Sequence, residues 1–472
     1  MRKIKIAFIQ KIPEDNIGIL QISSVLINHG FSTRVWIEGR KTYNEVKSFS
    51  ADIIGYPCYT GDQKWIFSSI KKLKAAGIDA KVIVGGPHAT FFPELIHNES
   101  IDVICRGEGE YALLDYAIAL EENKDPYGIK NLYFNINGEI IENELRPLVT
   151  DLNTLPFPDR SYYNRYRFLA RNPYKIFITG RGCPFKCTFC FNHALHELYG
   201  KTAKYIRRRS AINVIEEVQE VKHRWGIDEI RFSDDHFALS TQWLKEFASS
   251  YKKDIDRPYT INTRVDVLDE EKISYLKDSG CRLVCFGIET GREDIRNNVL
   301  KKSIKDEQIF KAAELLKKYK IKFLTSNIIG LPNETSKDAW QTIEMNQRIG
   351  TNLPWFSMMQ YYPGTQIFKE AQEAGLIAGN FNGDELGSYF KNDYLQQNNI
   401  DELKNIHSFS IITSRYKFFE PLAKLLSKKC KPNFLFRYIF LFSYLILTIK
   451  RANFKMMRLL WGVKYYLNKL ST

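Results

Sequence analysis

Short apolar runs alternate with amphipathic stretches through most of this chain, and that alternation restricts its fold more than any other feature. Over roughly residues 1–145, the runs Ile4–Ile9, Phe31–Ile37, Asp52–Tyr56, Ala80–Val84 and Asp102–Cys105 read as buried parallel strands. The stretches between them read as helices, such as Ile17–His29, stopped by Gly30, and Gln63–Ala76, stopped by Gly77. This spacing predicts an N-terminal doubly wound α/β domain, followed by a hairpin at Asn137-Gly138. Residues 146–172 then read as a linker carrying Leu155-Pro156-Phe157-Pro158, because a residue before proline avoids the helix.

The alternation resumes over residues 173–375. Strands are expected at Lys175–Thr179, Glu229–Phe232, Thr260–Arg264, Leu283–Gly287, Lys322–Ile329 and Trp355–Gln360. Six strand–helix units make a partial (β/α)6 barrel, in which functional groups gather at the carboxyl ends of the strands. Residues 376–472 form a third region, helical, aromatic and basic. At 472 residues the chain is long enough for each region to bury a core.

Net charge is +14, which first suggests a nucleic-acid partner. Residues 401–472, however, hold ten Lys and four Arg against three acidic residues, so most of the excess sits in one terminal region. No nucleic-acid-binding motif accompanies it, and no nucleic acid is expected. The N-terminus alternates charged and apolar residues without a cleavable apolar segment, so a cytoplasmic location is expected.

Three of the eight cysteines fall within eight residues, in Gly180-Arg181-Gly182-Cys183-Pro184-Phe185-Lys186-Cys187-Thr188-Phe189-Cys190. Eight are too few for a disulfide scaffold, so the cluster points to metal or redox chemistry. Three thiolates at this spacing can wrap one face of an iron–sulfur cubane and leave one iron open. Zinc with a distant fourth ligand is the competing reading, with His193, Cys281 or Cys285 as that ligand; the two cysteines fall on a strand that reads as core.

With Phe189 just before the third cysteine, the sequence resembles the cobalamin-binding radical S-adenosylmethionine enzymes, which include methyltransferases and the anaerobic bacteriochlorophyll cyclase. The likeness runs over most of residues 1–375. It implies a 4Fe–4S cluster on Cys183, Cys187 and Cys190, whose open iron binds S-adenosylmethionine and whose electron cleaves it to a 5′-deoxyadenosyl radical. It also implies an electron donor such as flavodoxin or ferredoxin, and anaerobic chemistry.

Several strand ends fit that implication. Asp234 and Asp235 follow the second barrel strand and resemble the position that binds the amino group; alternatively one of them caps the next helix. Arg264 suits the methionine carboxylate, Glu289 the ribose, and the turn at Gly330-Leu331-Pro332 the adenine. In the front region Thr60, Gly85, Gly86, Pro87, His88, Gly107 and Glu108 follow strands three to five and resemble a cobalamin cradle. One departure stands out. Counting back from Gly18, the position where many cobalamin domains place a cobalt-ligating His holds Asp15, so cobalamin is expected to bind without a protein His ligand.

In the third region, Phe434–Ile449 has one charge, Arg437; as a helix it reaches ~24 Å, short of the ~30 Å hydrocarbon core. Met456, Leu460, Val463, Leu467 and Leu470 share a further helical face opposite Lys455, Arg458 and Lys469, although Lys464 breaks the pattern. Either these helices lie peripherally on a membrane, which would suit a lipid-like substrate, or they pack on the barrel. The expected activity is methyl transfer to an unactivated carbon of a small or lipid-like molecule. The alternatives are a radical cyclase or carbon-skeleton enzyme using the same cofactors, and a non-catalytic cobalamin or redox sensor.

Overall fold

The computed structural model describes residues 3–452 except 173, 201–202, 378–380, 382, 384–385 and 387–394. The expected amphipathic face from Met456 to Leu470 lies outside the described residues. Contacts divide the chain into two units. The first comprises residues 1–183, 195–234 and 253–257; the second comprises 184–194, 235–252 and 258–472.

In the first unit, strands β1 (Lys5–Gln10), β2 (Ser32–Ile37), β3 (Ile53–Pro57), β4 (Lys81–Gly85), β5 (Val103–Cys105), β6 (Leu132–Ile136) and β7 (Glu139–Glu142) form one sheet in the order 2-1-3-4-5-6-7. The first five are parallel, and β6–β7 is the antiparallel hairpin. Asn137 and Gly138 both take positive φ at its turn, as a two-residue connection matching strand twist requires. Alternate side chains of β1 serve opposite faces. Ile6 and Phe8 join a core with the helices Ile17–Asn28 and Glu110–Glu121, while Ala7 and Ile9 join another with Thr42–Phe49 and Gln63–Ala75. Since β1 lies between β2 and β3, the strand order reverses there, and the loops after β1 and β3 flank the crevice where such sheets bind ligands.

The same unit holds β8 (Tyr174–Phe177) and β11 (Glu229–Phe232), paired in parallel, and the short antiparallel pair β9 (Gly180–Arg181) and β10 (Arg207–Arg208). Between β10 and β11 runs the helix Ala211–Trp225, opened by the Ser210 hydroxyl, which accepts from Asn213 N–H, and ended by Gly226 at positive φ.

A buried ion network ties these parts of the first unit together. Arg160 donates to Asp15 at 2.9 Å, to Glu217 at 3.3 Å and to the Ile176 carbonyl at 2.6 Å. Asp15 also accepts from the Tyr162 and Tyr163 hydroxyls. Thus the residue standing where related domains carry a His is committed to an internal ion pair.

In the second unit β12 (Tyr259–Asn262), β13 (Cys281–Glu289), β14 (Lys322–Ile329) and β15 (Leu353–Met358) are parallel and adjacent in chain order. Helices Glu270–Asp278, Asp306–Lys318 and Ser336–Ile349 connect them. Cys281 and Cys285 are buried, and Cys285 lies within the core formed by β13–β15 with later helices. The helix Ile400–Arg415 packs on Ser336–Ile349 and in turn carries Glu420–Lys429 and Phe434–Ala452. Among the described residues no helix is long and apolar enough to cross a membrane.

Replacing Arg160 by Met would strand Asp15 as a buried carboxylate without its cation, while Glu217 would keep Arg209. The expected loss is about 3–5 kcal/mol of stability, read from urea unfolding, whereas a surface-pair change such as Arg224→Met should cost under about 1 kcal/mol.

Candidate active site

The front sheet presents three loops at its carboxyl edge. After β4, Gly86 adopts φ +101, and a Cβ there would come within 3.0 Å of the Cys58 carbonyl, so glycine allows this loop to lie flush against the one after β3. Thr60 and His88 bridge the two loops at 3.2 Å. His88 is buried in the short helix Pro87–Phe91 and stacks on Phe92. After β5, the Arg106 side chain donates to the Thr90 carbonyl at 3.2 Å, and Gly107 N–H donates to the Thr90 hydroxyl at 2.9 Å. The expected cradle residues Thr60, Gly85, Gly86, Pro87, His88 and Gly107 are therefore neighbours along one sheet edge, as a large planar cofactor needs.

Glu108 is used differently from its neighbours. Its carboxylate accepts from Arg181 at 2.7 Å and Arg207 at 2.8 Å, and from Val149 N–H at 2.9 Å. Burial opposes ionisation, but these two cations hold its pKa below the usual carboxylate range. Arg181 also reaches Glu110 at 2.5 Å. The loop after β5 is thereby clamped to a residue two positions before Cys183.

In the second unit the segment around Cys187 is pinned by its backbone. Cys190 N–H donates to the Cys187 carbonyl at 3.1 Å, closing a tight turn. Thr188 donates to the Leu300 and Val299 carbonyls and accepts from Ile367 N–H. Phe189 packs partly buried beside Leu331, Tyr361 and Ile367. None of the eight cysteines is in a disulfide; Cys187 is buried, and Cys183 and Cys190 are partly exposed. Among the described residues no three His, Cys, Asp or Glu side chains gather on a single ion. A cubane makes a different demand, since each thiolate takes its own iron, and a free-thiol donor set suits it. Burial pushes the Cys187 thiol up, while the Lys302 and Arg264 charges oppose the shift.

Arg264 lies beside this loop. Its Nη1 is 3.8 Å from Cys187 Sγ, and its guanidinium lies 3.6 Å from the centre of the Phe185 ring. Asp266 and the Lys302 carbonyl hold the rest of the guanidinium. Phe185 in turn stacks on His236. Glu289 ends β13 at a register shift with φ +66, a conformation costing a non-glycine residue ~1–3 kcal/mol. Two cations hold it there. Lys302 pairs with its carboxylate in a buried site, and the fully buried Arg296 donates to the Ile288 and Thr290 carbonyls on either side. The pair sits over Gly287, where a Cβ would fall 1.8 Å from Glu289 Oε1.

Of the two aspartates, Asp234 is buried in the first unit and accepts from Thr179 N–H and hydroxyl at 2.9 and 2.7 Å. Burial raises its pKa, with Arg208 and Thr179 opposing. Asp235 is exposed and belongs to the second unit. Neither caps the following helix, which starts at Thr241 with the Ser240 hydroxyl accepting from Trp243 N–H. Sequence reasoning did not find Arg181, Arg207, Arg296 or Lys302. Arg181 had a signal, its place in the cysteine loop; Lys302 had none, since its partner is 13 residues away across an irregular turn.

The turn after β14 is closed by Glu334, whose Oε2 accepts from Gly330 and Leu331 N–H. Gly330 takes φ +90 there. Among the described residues Glu334 Oε1 has no hydrogen-bond partner, and burial raises this carboxyl to about 8 from 4.5. The folded state thus holds a proton that the unfolded chain releases above pH 4.5. This stabilisation is complete below pH 4.5 and is lost as pH rises through about 8. Glu334→Gln should keep the fold and flatten the decline in thermal midpoint between pH 5 and pH 8.5; an unchanged decline would refute the assignment.

Comparison with known proteins finds two family models along the chain. The B12 binding domain model matches residues 12–117 and the Radical SAM superfamily model matches residues 177–345. An uncharacterized methyltransferase of Pyrococcus horikoshii is 31% identical over 336 residues, covering 70% of this chain and 72% of its own. The anaerobic magnesium-protoporphyrin IX monomethyl ester cyclase of Rubrivivax gelatinosus is 25% identical over 339 residues, 69% of this chain and 59% of its own. In fold, the chain resembles the radical S-adenosylmethionine methyltransferase TsrM from Kitasatospora setae, at TM-score 0.67 and 18% identity, over 80% of this chain and 77% of that one. Its cofactors are accordingly a 4Fe–4S cluster, S-adenosylmethionine and cobalamin. With an architecture of a cobalamin-type front sheet, a parallel-stranded radical domain and a helical C-terminal region, the chain belongs to the cobalamin-binding radical S-adenosylmethionine family.

Proposed function

We propose that this enzyme is a cobalamin-dependent C-methyltransferase acting on an unactivated carbon of a small or lipid-like molecule. The observation that carries the reading is Arg181, which joins Glu108 and Glu110 at the edge of the front sheet to the residues leading into Cys183. Such a clamp holds the cradle loop and the start of the cysteine loop in fixed register, as two cofactors sharing one substrate require. When bound, the cluster with S-adenosylmethionine supplies hydrogen abstraction, and cobalamin supplies the methyl group.

The chain's own residues bind and orient. Cys183, Cys187 and Cys190 would hold three irons, with Arg264 and Lys302 placing positive charge beside Cys187. Asp234 or Asp235, Arg264, Glu289 and the turn at Gly330 would take the amino, carboxylate, ribose and adenine parts of S-adenosylmethionine. Asp266 holds Arg264 from behind, so the guanidinium needs little rearrangement to meet a carboxylate. Thr60, Gly85, Gly86, Pro87, His88 and Gly107 would line the corrin, with Glu108 fixing their loop from behind. Because Asp15 is committed to Arg160, the loop after β1 offers cobalt no histidine, which favours binding without a protein ligand.

The corresponding domains are 1–145 for cobalamin, 146–172 as linker, 173–375 for the radical chemistry and 376–472 as the helical region. A cytoplasmic enzyme drawing electrons from a flavodoxin or ferredoxin fits its free thiols. Peripheral contact of the C-terminal helices with a membrane belongs to the same reading. A radical cyclase is the second reading, favoured by the 25% identity to the Rubrivivax gelatinosus cyclase.

Anaerobic reconstitution should give an iron–sulfur absorbance, retained cobalamin and cleavage of S-adenosylmethionine to 5′-deoxyadenosine. Cys187→Ala should abolish the absorbance and the cleavage; full cleavage by that variant would sink the cluster assignment. Extracts of cells with and without the gene should differ by a metabolite carrying one extra methyl group, and a ring-closed product instead would select the cyclase.

A further inference from the structure

The C-terminal helices of the second unit bury one face and leave the other apolar. On Phe434–Ala452, at ~100° per residue, Leu435, Tyr438, Phe442 and Ile446 share one stripe. Tyr438 and Phe442 are 64% and 65% exposed, whereas Phe436, Phe440 and Leu447 on the opposite side are buried. The neighbouring helix Glu420–Lys429 repeats this arrangement. Leu422 and Leu425 are about half exposed, Ala423 and Ser427 are buried, and Phe418 ahead of the helix is 73% exposed. Both helices turn their inner faces to Ile400–Arg415, so their outer side chains are not core residues of that bundle.

Charge distinguishes what this face can meet. From Arg415 to Arg437 there are seven Lys or Arg and a single acid, Glu420, which is the last acidic residue of the chain. Glu420 is itself paired with Lys424 at 2.6 Å. Lys417, Lys428, Lys429, Lys431 and Arg437 are exposed on these helices and the segments that join them. A second copy docked on the same face would bring two such basic sets together. Nucleic acid would satisfy the cations and leave Phe418, Tyr438 and Phe442 without apolar partners. An anionic bilayer surface satisfies both sets, with the phosphates meeting the lysines and the acyl boundary receiving the aromatic and leucine side chains.

We propose that the outer face of Glu420–Lys429 and Phe434–Ala452 docks on an anionic lipid bilayer, with Phe418, Leu422, Leu425, Tyr438 and Phe442 entering its interface. This rests on the peripheral contact named in the proposed function and identifies its lipid charge and its residues. A substrate dissolved in that bilayer would then be met at the surface of the membrane.

The test uses the full reconstituted chain with vesicles of phosphatidylcholine alone or mixed with phosphatidylglycerol. Co-sedimentation should need phosphatidylglycerol and weaken as salt rises. The variant Phe418→Glu/Tyr438→Glu/Phe442→Glu should lower vesicle binding at least ~10-fold while forming 5′-deoxyadenosine at the unaltered rate without vesicles. Lys428→Glu/Lys429→Glu should lose the preference for anionic vesicles. Wild-type protein that ignores anionic vesicles would end the peripheral contact altogether. Equal binding by wild type and the aromatic variant would overturn only this face. A dimer in sedimentation equilibrium that the aromatic variant dissolves would make a second copy the occupant, and binding seen only after deleting residues 453–472 would make that segment the occupant. Loss of 5′-deoxyadenosine formation by wild type would instead count against the radical reading, whatever the vesicles show.

Discussion

Arg181 donates to Glu108 and Glu110, and much of the site depends on that fork. A planar guanidinium fits two carboxylates with a fixed geometry that a lysine would not reproduce. Arg207 completes the set from the paired strand, so the acidic loop after β5 faces two cations and each cation is neutralised. Breaking one partner leaves a partly buried charge behind, which makes the arrangement close to all-or-none. The cysteine loop therefore inherits its starting point from the front sheet. Positive charge near Cys187 comes separately, from Arg264 and Lys302 within the second unit.

What the sequence made legible was local. Every expected strand is present to within two residues at each end, because alternating apolar runs carry their own period. The hairpin at Asn137-Gly138 and the helix stops at Gly30 and Gly77 follow from backbone chemistry at single positions. The cysteine loop was legible because its ligands are neighbours in the chain. What stayed hidden were pairings made across long separations. Arg160 meets Asp15 at a distance of 145 residues, and Arg181 meets Glu108 at 73. Nothing in the local pattern marks Lys302 as the partner of Glu289, or tells Asp234, buried against Thr179, from exposed Asp235.

The C-terminal region separates composition from placement. Phe434–Ile449 carries a single charge, Arg437, a composition that by itself fits either a core helix or a membrane element. Folding divides that surface in two. Phe440 and Tyr444 stack inward against His407 and Trp355, and burial lowers His407 to about 4, so it stays neutral within that packing. The aromatic residues on the other side are left to whatever the protein meets outside itself.

Asp15 shows how a position that holds a ligand in many cobalamin domains can serve the fold instead. Its carboxylate now answers Arg160 and accepts from two tyrosine hydroxyls. A histidine placed there would leave Arg160 only Glu217, at 3.3 Å, as counter-charge and would take away the carboxylate that accepts from both hydroxyls. A ligand at this position would thus remove part of the buried network that joins the loop after β1 to Arg160. The ion pair ties the choice of residue here to the stability of the first unit, without involving the cofactor at all.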